Sequence, residues 1–151
     1  MKSLTRRLLW TAVGAAMLAG VVAGGATAQA PAVKIGLLAT LEGPFAAGGQ
    51  DGMRGAELAV KERGGVVAGR KIEIIKASSD AKPDVAVNAT RKLVEQDKVD
   101  IMVGPLSGSE GIAVKNYSKT QPGITFINGS SGAQATTLQD PSVPGGNWRD
   151  A

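Results

Sequence analysis

The groups able to do chemistry are concentrated in two short stretches, Gly104-Pro105-Leu106-Ser107-Gly108-Ser109 and Asn128-Gly129-Ser130-Ser131-Gly132. Each combines glycines, which let a backbone come close to a ligand, with hydroxyls that donate or accept hydrogen bonds. A helix starting at either stretch would add unpaired N–H groups, and the set then suits a small anion such as a carboxylate. Serine and glycine are equally the residues of ordinary turns and helix caps, so a purely structural role stays open beside the binding role. A third stretch of the same kind is Leu41-Glu42-Gly43-Pro44-Phe45.

Other chemistries are excluded by composition. Among 151 residues there is no His and no Cys. This rules out a Ser-His-Asp triad, an imidazole base, a His-ligated zinc, a thiol nucleophile and a disulfide. An esterase would also need G-x-S-x-G, which is absent. Gly64 to Lys71 approaches a phosphate loop but lacks Lys-Ser/Thr after the glycine. It also leads from a helix into a strand, the reverse of a P-loop, and reads better as a helix stop and turn. Lys115 and Tyr117 lie two residues apart on an expected helix and so point to different sides, as a surface Lys and a core Tyr. Any enzyme here would have to work with carboxylates, Lys, Tyr or hydroxyls.

The elements that must position these loops alternate in type. Val33 to Ala39 is an apolar strand, and a helix is expected from about Asp51 to Arg63, with Met53, Ala56, Ala59 and Val60 at helical spacing and Gly64-Gly65 as its stop. Lys71 to Lys76 is a second strand. Asp80 and Pro83 open a second helix with Ala86, Ala89, Leu93 and Val94 on one stripe. Val99 to Val103, Ser109 to Lys119 and Ile124 to Ile127 complete a βαβαβαβ order. Strands joined by single helices run parallel with right-handed crossovers, so the expectation is an α/β, doubly wound parallel sheet with helices on both faces. All three chemistry-bearing stretches then fall at carboxyl ends of strands, where ligands of such sheets sit.

The first 30 residues are of another kind. Lys2, Arg6 and Arg7 precede an uncharged run from Leu8 to Gly25, followed by the small-x-small pattern Ala26-Thr27-Ala28. That is the order of an export signal, with cleavage expected near Ala28 and a periplasmic product beginning at Gln29. Much of the run is Gly and Ala and it lacks a basic stop-transfer flank, which argues against a membrane anchor, so the mature chain is not expected to span a membrane. Arg6-Arg7 followed by two leucines leaves general and twin-arginine export both open. Removing the leader takes away Lys2, Arg6 and Arg7, so the overall net charge of +4 falls nearly to zero. The remaining Lys and Arg are interleaved with acids, which excludes a nucleic-acid-binding stripe.

The order of residues resembles a known family. Lys34-Ile35-Gly36, Gly43-Pro44-Phe45, Gly55-Ala56-Glu57-Leu58-Ala59-Val60, Gly64-Gly65, Gly69-Arg70-Lys71-Ile72-Glu73, Asp80, Gly104-Pro105 and Asn128-Gly129-Ser130-Ser131 occur in the sequence and spacing of the leucine/isoleucine/valine-type periplasmic binding proteins. These are the solute receptors of branched-chain amino acid ABC importers, so the resemblance implies a binding protein and not an enzyme, with no metal and no cofactor. The resemblance implies the N-terminal lobe of a type I periplasmic binding fold, a hinged trap that delivers a small amino acid or carboxylate to an ABC permease in the inner membrane. It also implies that Ser107, Gly108 and Ser109 hold the ligand's carboxylate and that Ser130, Ser131 and Gly132 form a second ligand loop, with Phe45 nearby.

Three positions depart from the family pattern. Glu42 stands where a small hydroxyl is usual, Gly48 where leucine binders place an aromatic ring, and Gly132 where they place a Thr. Losing the ring leaves room for a larger or aromatic acid. Family members are two to three times as long, so residues 1–28 are expected to be the leader, 29–138 the N-terminal lobe and 139–151 a loop-like truncated tail, with the second lobe absent. A ligand-binding sensor domain of a signalling system shares the fold and is the alternative function.

Overall fold

A computed structural model describes residues 30–137 and 148–150. The expected leader, and residues 138–147 and 151 around the expected tail, lie outside the described residues. The elements are β1 (Val33–Thr40), a 3-10 turn (Gly43–Phe45), α1 (Ala46–Glu62), β2 (Val66–Val67), β3 (Arg70–Ser79) and α2 (Pro83–Arg91), which runs on into a π-turn (Lys92–Gln96). They continue with β4 (Ile101–Val103), α3 (Gly108–Ser118), β5 (Thr125–Asn128), α4 (Gln134–Thr137) and β6 (Trp148–Asp150).

The six strands lie in the order β2-β3-β1-β4-β5-β6. All neighbours are parallel except β2, which pairs antiparallel with β3 at one edge. The chain starts in the middle, crosses to β3, then returns past β1 to β4. That reversal opens a crevice between the carboxyl ends of β1 and β4.

Alternation along the strands builds two cores. Leu38, Met102 and Phe126 face one side, where Ala86 of α2 and Val114 and Tyr117 of α3 cover them, and Phe126 and Met102 are 1% exposed. Leu37 and Ala39 face the other side, where Met53 and Ala56 of α1 pack with Val103. The expected arrangement of helices on both faces of a parallel sheet is therefore present, with two helices on one face and α1 on the other. No helix among the described residues is long and apolar enough to cross a membrane.

Several boundaries differ from expectation, each for a physical reason. α1 begins at Ala46 and not near Asp51, although Gly48 and Gly49 are poor helix formers. A Cβ at Gly49 would lie 1.8 Å from the Thr40 carbonyl oxygen, so glycine is what lets the helix start lie on the end of β1. β3 runs to Ser79 because it pairs with β1 along its whole length, to Thr40 opposite Ser79. Ala68 and Gly69, with φ of 48° and 75°, close a two-residue turn that folds Val66–Val67 back on β3. Within the stretch expected to be loop-like, Trp148–Asp150 instead pairs with β5 as a sixth strand. Its Pro- and Gly-rich surroundings read as loop, but three residues are enough to take up the ladder groups that β5 would otherwise leave open.

Candidate functional site

The crevice at the strand reversal holds a cavity of about 290 Å³. Its floor is apolar, from Leu37, Ala39, Met53 and Val103, and its rim carries Gly48 of α1, Pro105, Leu106 and Ser130. A Cβ added at Gly48 would meet only Leu106 Cδ2, at 3.7 Å, so the wall there is open where a side chain would narrow it. The chain turns sharply into this rim at Gly104. Its φ of 116° is a glycine conformation, and a Cβ there would lie 2.1 Å from the Leu38 carbonyl oxygen.

The loops after β4 and β5 lie side by side. A Cβ on Gly129 would approach the Pro105 carbonyl oxygen to 3.1 Å, and one on Gly108 would approach Ala133 Cβ to 2.9 Å. The two Ser/Gly stretches read from the sequence are thus brought together, although only Ser130 among the residues expected at the site lines the cavity itself.

The serines take different roles. Ser107 is the N-cap of α3, its hydroxyl accepting from the Glu110 backbone N–H at 3.4 Å while Glu110 Oε2 accepts from the Ser107 N–H at 3.3 Å. This is a capping box, and it shows the cap role left open for Ser107. Ser109 is exposed on the first turn of α3, 3.5 Å from the Ser107 hydroxyl. Ser130 is exposed, whereas Ser131 is buried with its hydroxyl turned towards the Cα of Gly111 on α3. Gly132 is exposed with open space around it. Phe45 sits on the 3-10 turn, half exposed and outside the cavity lining.

Sequence reasoning missed Glu110. It is 0% exposed, and Oε2 also accepts from the Thr40 hydroxyl at 3.1 Å. The Ser79 hydroxyl in turn donates to Thr40 Oγ1 at 3.4 Å, so Ser79, Thr40, Glu110 and Ser107 form one buried chain beneath the site. The signal was present in Ser107-x-x-Glu110, the capping-box pattern.

Lys82 donates to Asp80 at 2.5 Å. That hydrogen bond holds the Asp80 carboxyl below its ordinary value and the Lys82 ammonium above its own. Among the described residues no group of three or more acidic, His or Cys side chains is placed to hold a metal. The site offers hydroxyls, loop N–H groups and apolar walls, the equipment of a binding site.

Comparison with known proteins gives a consistent result. A family profile described as periplasmic binding protein matches residues 32–145. An amino acid binding protein of Pseudomonas aeruginosa is 31% identical over 106 residues, covering 69% of this chain and 28% of that protein. A Leu/Ile/Val-binding protein of Rhizobium johnstonii is 36% identical over 87 residues, covering 56% and 23%. The chain therefore spans about a quarter of the curated relatives it matches.

Among solved structures, an ABC transporter substrate-binding protein from Sphaerobacter thermophilus superposes with a TM-score of 0.70 at 32% identity, over 80% of this chain and 32% of that one. A branched-chain amino acid transporter substrate-binding protein of Streptococcus pneumoniae, in complex with isoleucine, gives 0.64 at 30% identity over 70% and 31%. A solute-binding protein of Rhodopseudomonas palustris, in complex with benzoate, gives 0.60 at 31% identity over 64% and 27%. With a family profile covering most of its length and a parallel sheet that superposes on solved members, this chain belongs to the periplasmic binding protein family.

Proposed function

We propose that this chain supplies the N-terminal lobe of an exported solute receptor, which takes up a small carboxylic acid with an apolar or aromatic tail and passes it to an ABC permease. The observation that carries the reading is the cavity at the strand reversal, where an apolar floor meets Ser130 and, beside it, the Gly104–Leu106 loop that leads into α3. In that geometry a ligand's carboxylate lies on the hydroxyls of Ser109 and Ser130 and the first N–H groups of α3, and its tail lies between Leu106 and the glycine face of α1. Ser107 and Ser131 stand behind this contact surface, one as cap and one as packing.

Gly48 extends the reading to aromatic acids. Without a side chain at that wall the cavity accommodates a planar ring as well as a branched aliphatic chain, and relatives of this fold are solved with isoleucine and with benzoate. The receptor works in the periplasm after removal of the leader near Ala28, and it binds its solute without transforming it.

The test is titration of the isotope-labelled chain with L-isoleucine and benzoate, followed by Ser109→Ala and Ser130→Ala. Each substitution is expected to weaken binding by about 1–3 kcal/mol, the worth of one hydrogen bond to a charged group. Unchanged affinity in both variants would remove these loops from the site.

A further inference from the structure

We infer, on the receptor reading above, that the adjacent residues Glu110 and Gly111 are positioning residues that hold the loops of the site at one fixed spacing. Glu110 does so with its carboxylate and Gly111 by having no side chain.

Glu110 is fully buried and forms no ion pair among the described residues. A buried carboxylate is retained at a cost unless its hydrogen bonds are needed. A capping box explains only the reciprocal bonds with Ser107. The bond from Thr40 is additional, and it ties the first turn of α3 to the end of β1, across the strand reversal. Among the described residues Oε1 has no hydrogen-bond partner and the carboxylate is held through Oε2, by one donor from β1 and one from the Ser107 turn.

Gly111 is the matching seat on the same helix turn. A Cβ there would lie 2.2 Å from Ser131 Oγ, 2.8 Å from Ser131 Cβ and 2.9 Å from Thr136 Cγ2. Gly108, one turn earlier on the same face, is as tightly opposed by Ala133. The Ser130 loop therefore rests on a surface that exists only while residues 108 and 111 have no side chains. Two consecutive residues thus reference the Ser107–Ser109 turn to β1 and the Ser130–Ala133 loop to α3. A ligand spanning Ser109 and Ser130 meets donors already set apart by the right distance, which is how preorganisation raises affinity.

The test compares Glu110→Ala, Glu110→Gln, Gly111→Ala and Thr40→Val in the full chain. Three readouts are used: amide hydrogen exchange, thermal midpoint, and dissociation constants for L-isoleucine and benzoate. The Ser107 amide reports directly, because Glu110 Oε2 is its acceptor. Glu110→Ala should speed Ser107 exchange and weaken both ligands by about tenfold or more. Glu110→Gln keeps one carbonyl oxygen for both donors and should restore both readouts to within about threefold of the parent. Gly111→Ala should leave Ser107 protected, shift the amide resonances of Ser130 and Ser131, and weaken the ligands to a similar degree.

Should either alanine variant fail to fold, Thr40→Val removes the bond to Glu110, and with it the acceptor of the Ser79 hydroxyl, at constant shape and leaves the Ser107–Glu110 bonds of the capping box in place. It should speed Ser107 exchange and weaken binding measurably. A purely structural role would lower the thermal midpoint while leaving the dissociation constant of the folded molecules unchanged, and that result overturns the inference. So does a Ser107 amide that exchanges as in the parent in Glu110→Ala and Thr40→Val. If the parent chain binds neither ligand, the receptor reading fails, and the positioning role is then decided by the exchange data alone.

Discussion

Thr40, the last residue of β1, donates its hydroxyl to Glu110 Oε2 in the first turn of α3 at 3.1 Å, joining positions 70 residues apart in the chain. Both side chains are completely buried. The bond crosses the place where the strand order reverses, so the carboxyl ends of β1 and β4 are fixed relative to each other by side chains as well as by their ladder. Thr40→Val removes this bond and the one that Thr40 Oγ1 accepts from Ser79, leaving one donor on a buried carboxylate and a buried hydroxyl without that acceptor. The expected cost is about 1–3 kcal/mol, read as a lower midpoint in denaturant with an unchanged slope.

Gly48 controls the width of the cavity. Gly48→Phe adds a ring beside Leu106, whose Cδ2 would lie 3.7 Å from a new Cβ. Benzoate affinity should fall by about tenfold or more as the cavity of about 290 Å³ is filled, while stability holds or rises because glycine is a poor helix former. Titration and thermal melts of the one variant check both halves.

Tyr117 gives the fold an alkaline limit. Burial, with help from its hydrogen bond to Glu95 at 3.0 Å, pushes the phenol from 10.0 up to about 12. Its folded value lies above its unfolded one, so the contribution is complete below about pH 10 and is lost as pH rises towards 12. Melts between those limits should show a fall in stability that Tyr117→Phe removes; an identical profile in the variant would assign the alkaline loss to other groups.

Much of this architecture was legible in the sequence, because an apolar run bounded by glycine reads as a strand wherever burial is two-sided. Val33 to Ala39 matches β1 to within one residue, whereas Lys71 to Lys76 is the middle of β3, which pairing with β1 lengthens to Ser79. What could not be read was set by contacts distant in sequence. The start of α1 over Gly48 and Gly49 depends on a close approach to Thr40 that propensity alone argues against. Neighbouring serines at 130 and 131 look alike as residues, yet one faces the crevice and the other α3. Glu110 is not legible from its residue type: a glutamate beside a loop reads as a solvated surface group, and only the fold buries it against Thr40 of β1.

The surface carries an association liability. Phe45, Leu58, Val66 and Val67 are 50%, 54%, 46% and 47% exposed, and the two valines form a short edge strand. The chain is expected to associate reversibly with rising concentration. Leu58→Glu combined with Val66→Lys should return it to a monomer in sedimentation equilibrium without shifting its dichroism spectrum. Unchanged association would clear these residues of the role.

The most direct test of the central claim is an NMR titration of the labelled chain with benzoate and L-isoleucine up to tens of millimolar, with benzamide as the uncharged control. One lobe leaves the far side of a ligand in water, so the expected affinity is millimolar at best, about 4 kcal/mol. The account predicts saturable shifts at the amides of Leu106, Ser109 and Ser130, for the two acids and not for benzamide. Shifts of equal size with benzamide, or none at these residues at saturating acid, would contradict it.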